Sequence, residues 1–126
     1  MVKRTVLWMS VIFVAGALSS EAAEPGTQEQ QLIVNMLAAV EKNDYEAFLK
    51  DASLEMKAGM TKIMLEGVSG QMAPRMKKGY RSSYLGSLNQ QGCKVHLWKL
   101  TYEAGGDDTL VKLVVRGKQV AGFWLQ

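Results

Sequence analysis

Hydrophobic and polar positions along this chain fall into three successive patterns. Val6 to Leu18 forms an apolar run. Leu32, Ile33, Met36, Leu37 and Val40 then recur every three or four residues, with Gln30, Gln31, Asn35 and Glu41 largely opposite, which is the period of an amphipathic helix. Further on, Lys94, His96, Trp98, Leu100 and Tyr102 alternate with Val95, Leu97, Lys99 and Thr101, which is the period of a strand.

Punctuation between these patterns predicts the remaining elements. Asn43-Asp44 breaks the first helix, and Asp44 can cap a short second one by accepting from free backbone N–H groups, with Tyr45, Phe48 and Leu49 facing inward. Leu54 to Met76 reads as helical again but interrupted at Gly59, Gly67, Gly70 and Pro74. Thr61 caps a helix carrying Ile63, Met64, Leu65 and Val68 that decays into a turn at Gly70 or Pro74. Tyr80, Tyr84, Leu85 and Leu88 lead to a turn at Asn89–Gly92. Strands at Lys94–Tyr102, Leu110–Val115 and Gln119–Leu125 follow, separated by turns at Gly105–Asp108 and Arg116–Lys118. Helices first and a meander second give an α+β fold, N-terminal helices packed on a curved antiparallel meander. Apolar residues on both faces of the Lys94–Tyr102 strand imply that the sheet curls or that its outer face meets a partner.

The first apolar run has a different meaning. It follows a positive start, Met1-Val-Lys-Arg4, and precedes a small-x-small exit at Ser20-Glu-Ala22, the three-part form of a secretory signal peptide. Val6–Leu18 is 13 residues, short of the roughly 20 needed to cross a bilayer. The expected organisation is a signal peptide over 1–22, a short linker over 23–27 and one domain over 28–126. The product is exported, to a periplasmic or extracellular space, with no stable membrane anchor after cleavage.

Composition narrows the class. The chain after the leader supports one core and not two. Removing Lys3, Arg4 and Glu21 with the leader takes the formal charge from +3 to +2, too mild to imply nucleic acid. Arg75, Lys77 and Lys78 form a small basic knot that reads as a solvated helix end. Cys93 is the sole cysteine, so an intrachain disulfide is excluded and the domain rests on its core. Cys93 is either buried, reactive or a bridge between two chains.

Three stretches taken together, Val40–Lys50 (VEKNDYEAFLK), Ala58–Lys62 (AGMTK) and Val115–Gln126 (VRGKQVAGFWLQ), resemble small exported bacterial domains of the nuclear transport factor 2-like, cystatin-like superfamily. The resemblance spans most of the mature chain and implies a strongly bent sheet wrapped around helices, a cone whose interior can be a pocket. That fold hosts isomerases, dehydratases, cyclases, carrier modules and dimerisation domains, so it does not choose a function. The isomerase-like members use acidic groups inside the cone. Here Glu103, Asp107 and Asp108 fall at a hairpin instead.

Side chains able to carry chemistry are few. His96 is the sole histidine, which excludes a histidine pair or zinc triad, and no G-x-S-x-G elbow exposes a serine. As a catalyst it would act as general acid or base with Tyr84 or Tyr102 orienting a substrate oxygen. Cys93 and His96, three apart on a strand, point to opposite faces. Met56, Met60 and Met64 are spaced by four, as are Met72 and Met76; stacked thioethers can bind copper(I), although methionine more often fills an irregular core. Tyr80, Tyr84, Trp98, Tyr102 and Trp124 are the candidate lining of an apolar ligand pocket, although such residues more often fill the core. The leading expectation is a non-catalytic exported domain, without cofactor, that binds a small apolar ligand in the cone or pairs with a second copy through the sheet face. An isomerase or cyclase using His96 and a tyrosine is the alternative, and copper(I) binding through the methionines the third.

Overall fold

A computed structural model describes residues 24–126; the expected leader and its cleavage site lie outside the described residues. Four helices precede a four-stranded antiparallel sheet, so the chain is α+β. Helix α1 spans Thr27–Lys42, α2 Tyr45–Phe48, α3 Leu54–Gly59 and α4 Lys62–Lys77. Strands β1 (Tyr80–Gln90), β2 (Cys93–Tyr102), β3 (Thr109–Arg116) and β4 (Gln119–Leu125) lie in sheet order 1-2-3-4, a plain meander. No described helix is long and apolar enough to cross a membrane.

The helices form where the sequence can start and stop them. Asp44, Ser53 and Thr61 each accept a hydrogen bond from a backbone N–H three residues on, at 3.1, 3.2 and 3.1 Å, capping α2, α3 and α4. Asn43 ends α1 in the left-handed conformation. Gly59 marks the end of α3, as its position suggests.

Helix α4 corrects the sequence-based expectation. It runs unbroken through Gly67, Gly70 and Pro74 to Lys77, although proline removes one intrahelical bond and crowds the carbonyl four residues back. Leu65, Ser69, Ala73 and Met76 supply the reason: spaced by four, four and three, they form one buried stripe. α4 packs on α1. Burial of that face outweighs the propensity of three unfavourable residues.

The core lies between the helices and one face of the sheet. Leu32, Ile33, Met36, Leu37 and Val40 of α1 meet Trp98, Leu100 and Tyr102 of β2, Val111, Leu113 and Val115 of β3, and Val120 of β4. Phe48 stands edge-on to Phe123, ring centroids 5.6 Å apart. The second half largely follows the alternating pattern: β3 shows one-in, one-out burial, and β2 does so from Trp98 onward but buries the consecutive pair Val95 and His96 on opposite faces.

Two irregularities set what the sheet presents. β1 and β2 are joined by the two-residue turn Gln91-Gly92, both with positive φ, the geometry that suits the twist of a hairpin. This turn is tighter than the expected Asn89–Gly92. A bulge between Tyr84 and Gly86 then shifts the register, so Tyr84 pairs with Trp98 but Ser87 pairs with His96. A second shift lies at Val114/Val115 opposite β4. The β4 edge is bridged at Val120 by Asp51–Ser53, with Val120 N–H donating to the Asp51 carbonyl at 2.7 Å and Ser53 N–H to the Val120 carbonyl at 2.8 Å. β1 is the open edge.

Candidate functional site

The β1–β2 end of the sheet projects beyond the packed core and meets the amino end of α1. Between them lies a cleft of about 740 Å³. β1 contributes Tyr84, Ser87 and Asn89, β2 contributes Lys94 and His96, and α1 contributes Glu29. The bulge makes this lining. Before it, even-numbered residues of β1 face inward; after it, odd-numbered ones do, because Ser87 and Asn89 pair with His96 and Lys94.

His96 forms the cleft's inner wall. It is 6% exposed, and its Nδ1 shares a hydrogen bond of 2.9 Å with the Tyr84 hydroxyl. Trp98 backs the pair, its ring centroid 5.2 Å from that of Tyr84 and 5.9 Å from that of His96. Among the described residues Nε2 makes no protein hydrogen bond, yet no buried side-chain nitrogen or oxygen lacks a partner, so Nε2 is accessible from the cleft. Burial holds the imidazole pKa below its ordinary 6.5; Glu29 opposes that shift and Lys94 adds to it. The ring is therefore neutral at pH 7, with one nitrogen committed to Tyr84 and the other free to donate or accept according to tautomer.

Charge at the cleft mouth is balanced. Glu29 lies against Gly26 at the start of α1, where a Cβ would collide with its carboxylate oxygen. That position, in the first helical turn, suits a negative charge. Gln28 Nε2 donates to the Gly117 carbonyl at 3.3 Å and ties the same helix end to the β3–β4 turn. The arrangement offers hydroxyl, amide, imidazole, ammonium and carboxylate groups around one opening. It can hold a hydrogen-bonding molecule, and the His96–Tyr84 pair can relay a proton.

The other residues singled out by sequence are dispersed. Trp98 and Tyr102 lie in the core, 1% and 5% exposed, instead of lining the opening, and the Tyr102 hydroxyl is bonded to Thr109 at 2.7 Å. Tyr80 is half-buried at the far end of β1, and burial, with Glu41 nearby, pushes its phenol pKa up. Trp124 is on the opposite face of the sheet. Of the five aromatics expected in the pocket, only Tyr84 borders the cleft. The space between helices and sheet at Trp98 and Tyr102 is thus filled by side chains, and the cleft beside it is lined largely by polar residues.

Met56, Met60 and Met64 do not share one helix, whereas Met72 and Met76 both lie on α4 and pack into the core. Met56 belongs to α3, Met60 is the residue that ends it and Met64 belongs to α4, so the four-residue spacing spans a helix break. Met56 and Met60 pack against the core while Met64 is half exposed. No cluster of three His, Cys, Asp or Glu able to hold a metal ion occurs among the described residues. Cys93 sits on the hairpin rim and borders both the cleft and a groove on the outer face.

Sequence reasoning missed Glu29, Ser87, Asn89 and Lys94. A signal existed for Ser87 and Asn89, two polar residues spaced by two next to a turn, but their inward direction depends on the bulge. Compared with protein-family models, with curated proteins and with solved structures, the chain matches none of them.

Proposed function

We propose that this is an exported, non-catalytic domain that binds a small hydrogen-bonding ligand in the cleft between α1 and the β1–β2 hairpin. The observation that carries the reading is the half-committed His96: a neutral imidazole, almost wholly buried, fixed by Tyr84 through one nitrogen and open to the cleft through the other. Leaving such a group without a partner is costly unless water or a ligand completes it. Hydroxyl and amide groups from Ser87 and Asn89, with Glu29 and Lys94 at the mouth, suit a neutral or zwitterionic molecule bearing several donors and acceptors. A nuclear transport factor 2-like cone is the architecture we read into this arrangement. Its support is the order of helices before meander and the two bulges, which bend a strand.

Saturation-transfer NMR with a set of small hydroxyl- and amide-bearing fragments tests the proposal. Fragments are expected to bind the protein and to lose binding when Ser87→Trp fills the opening. Ser87 is exposed, so the replacement leaves the core intact. Binding unchanged by Ser87→Trp, or no binding by any fragment, would overturn it.

The 2.9 Å Tyr84–His96 bond favours one second reading, an isomerase- or cyclase-type enzyme with His96 as general base and Tyr84 orienting it. A carbonyl compound with an acidic α-proton would exchange that proton with solvent deuterium faster in the presence of the protein. Equal exchange with wild type and His96→Gln would remove this reading while leaving binding intact.

A further inference from the structure

None of the four strands carries an aspartate or glutamate. Every acidic residue of the described chain lies on a helix, a linker or a turn. On the face turned away from the helices, this leaves a surface of one charge sign. Arg81 pairs with Thr101, Lys99 with Ser83 and Lys112 with Trp124, so all three cations share that outer face with Val95, Leu97 and Val114.

The apolar part of the face is a trough. Val95 is 3% exposed even though it points away from the helices, because it lies at the bottom of a groove of about 610 Å³ walled by Trp124, Lys112 and the hairpin residues Gln90 and Gln91. Trp124 is held flat to make one wall. Gly122 lies beside its ring, where a Cβ would collide with the indole, and the Lys112 ammonium sits 5.2 Å from the ring centroid. The tryptophan is nonetheless 50% exposed. A half-exposed indole beside a recessed valine floor, with Lys112 in the groove wall and Lys99 and Arg81 farther along the same face, has the composition of an interface core with a basic flank.

We propose that this outer groove, which shares the hairpin residues Gln90, Gln91 and Cys93 with the rim of the cleft, docks an acidic polypeptide segment of a partner protein. Charge selects the partner: a carboxylate-bearing chain seated in the groove meets Lys112, and where it continues along the outer face it meets Lys99 and then Arg81, with no acid on the strands to compete. Shape selects a polypeptide over a lipid surface. A bilayer approaches protrusions and cannot reach a recessed floor, whereas an extended chain can lower an apolar side chain onto Val95 and bond its backbone to the amides of Gln90 and Gln91. A second copy of this chain would bring the same cations to the contact, an arrangement that like charges oppose.

The test uses the purified protein, a fluorescent peptide alternating Glu and Leu, the matching Lys–Leu peptide, and vesicles of phosphatidylglycerol with phosphatidylcholine. Binding of the acidic peptide alone is expected, weakening as salt rises. The double variant Lys99→Glu/Lys112→Glu should bind at least about tenfold more weakly, a loss of ~1.4 kcal/mol. Arg81→Glu, at an exposed position on the open edge, provides a second variant whose melting can be checked against wild type. Equal binding of both peptides, no effect of either variant, preference for the vesicles, or concentration-dependent dimerisation in place of peptide binding would each overturn the proposal.

Discussion

At the scale of single residues the account turns on His96. An imidazole whose folded pKa lies below 6.5 is neutral in the folded chain at pH values where the unfolded chain already protonates it. The unfolded state then binds more protons, so this group's stability is complete above pH ~6.5 and is lost as pH falls toward the folded pKa. Thermal melts should therefore show a drop in Tm as pH is lowered from about 7.5 to 5. The drop should be smaller in His96→Gln, and identical pH slopes in the two proteins would contradict the assignment. Tyr84→Phe removes the partner of Nδ1 and is expected to cost about 0.5–1.5 kcal/mol in denaturant unfolding. Gly122→Ala places a methyl where the Trp124 ring lies, and because that ring is half exposed it can swing outward. The expected readout is a red-shifted tryptophan emission with the fold retained; an unchanged spectrum would count against the flat indole.

At the scale of elements, local sequence and tertiary packing divide the work. The caps at Asp44 and Thr61, the amphipathic face of α1 and the alternation of β2 were all readable, because each depends on residues a few positions apart. The continuity of α4 was not, because it depends on a buried stripe that meets α1, an element outside any local window. The consequence is measurable. Gly67 is exposed in the interior of α4, and a Cβ there meets nothing within 4 Å. Gly67→Ala should raise stability by about 0.5–1 kcal/mol by reducing the entropy lost on helix formation. A destabilised variant would mean that α4 is not helical at Gly67. The bulge in β1 was equally hidden. It reverses which residues face inward after Tyr84, so it hid Ser87 and Asn89 from a reading by strict alternation, and it turned Leu88 to the outer side opposite Val95.

At the scale of the whole molecule, one hydrophobic core supports two unlike surfaces. The sheet divides them: a polar cleft with both charge signs on the helical side, and on the other a groove of valine, tryptophan and glutamine side chains with Lys112 in its wall. Leu100 is fully buried in the core beneath both, and Leu100→Ala should cost about 2–5 kcal/mol in denaturant unfolding. That the chain is α+β with its helices first was legible because hydrophobic period alone reports it. Core filling by the aromatics was the commoner expectation, but which of them are covered was not legible, since periodicity tells which side a residue takes but not how completely its neighbours cover it. The central claim, that the cleft at His96 is a ligand site, has a direct reporter in the chain's only histidine. Its Cε1 proton gives an isolated NMR signal that can be titrated with pH, with and without the best-bound fragment. The account predicts that the fragment moves this signal and its apparent pKa, and that Ser87→Trp abolishes the movement. A fragment that saturates the protein while leaving the His96 signal and its titration unchanged would contradict it.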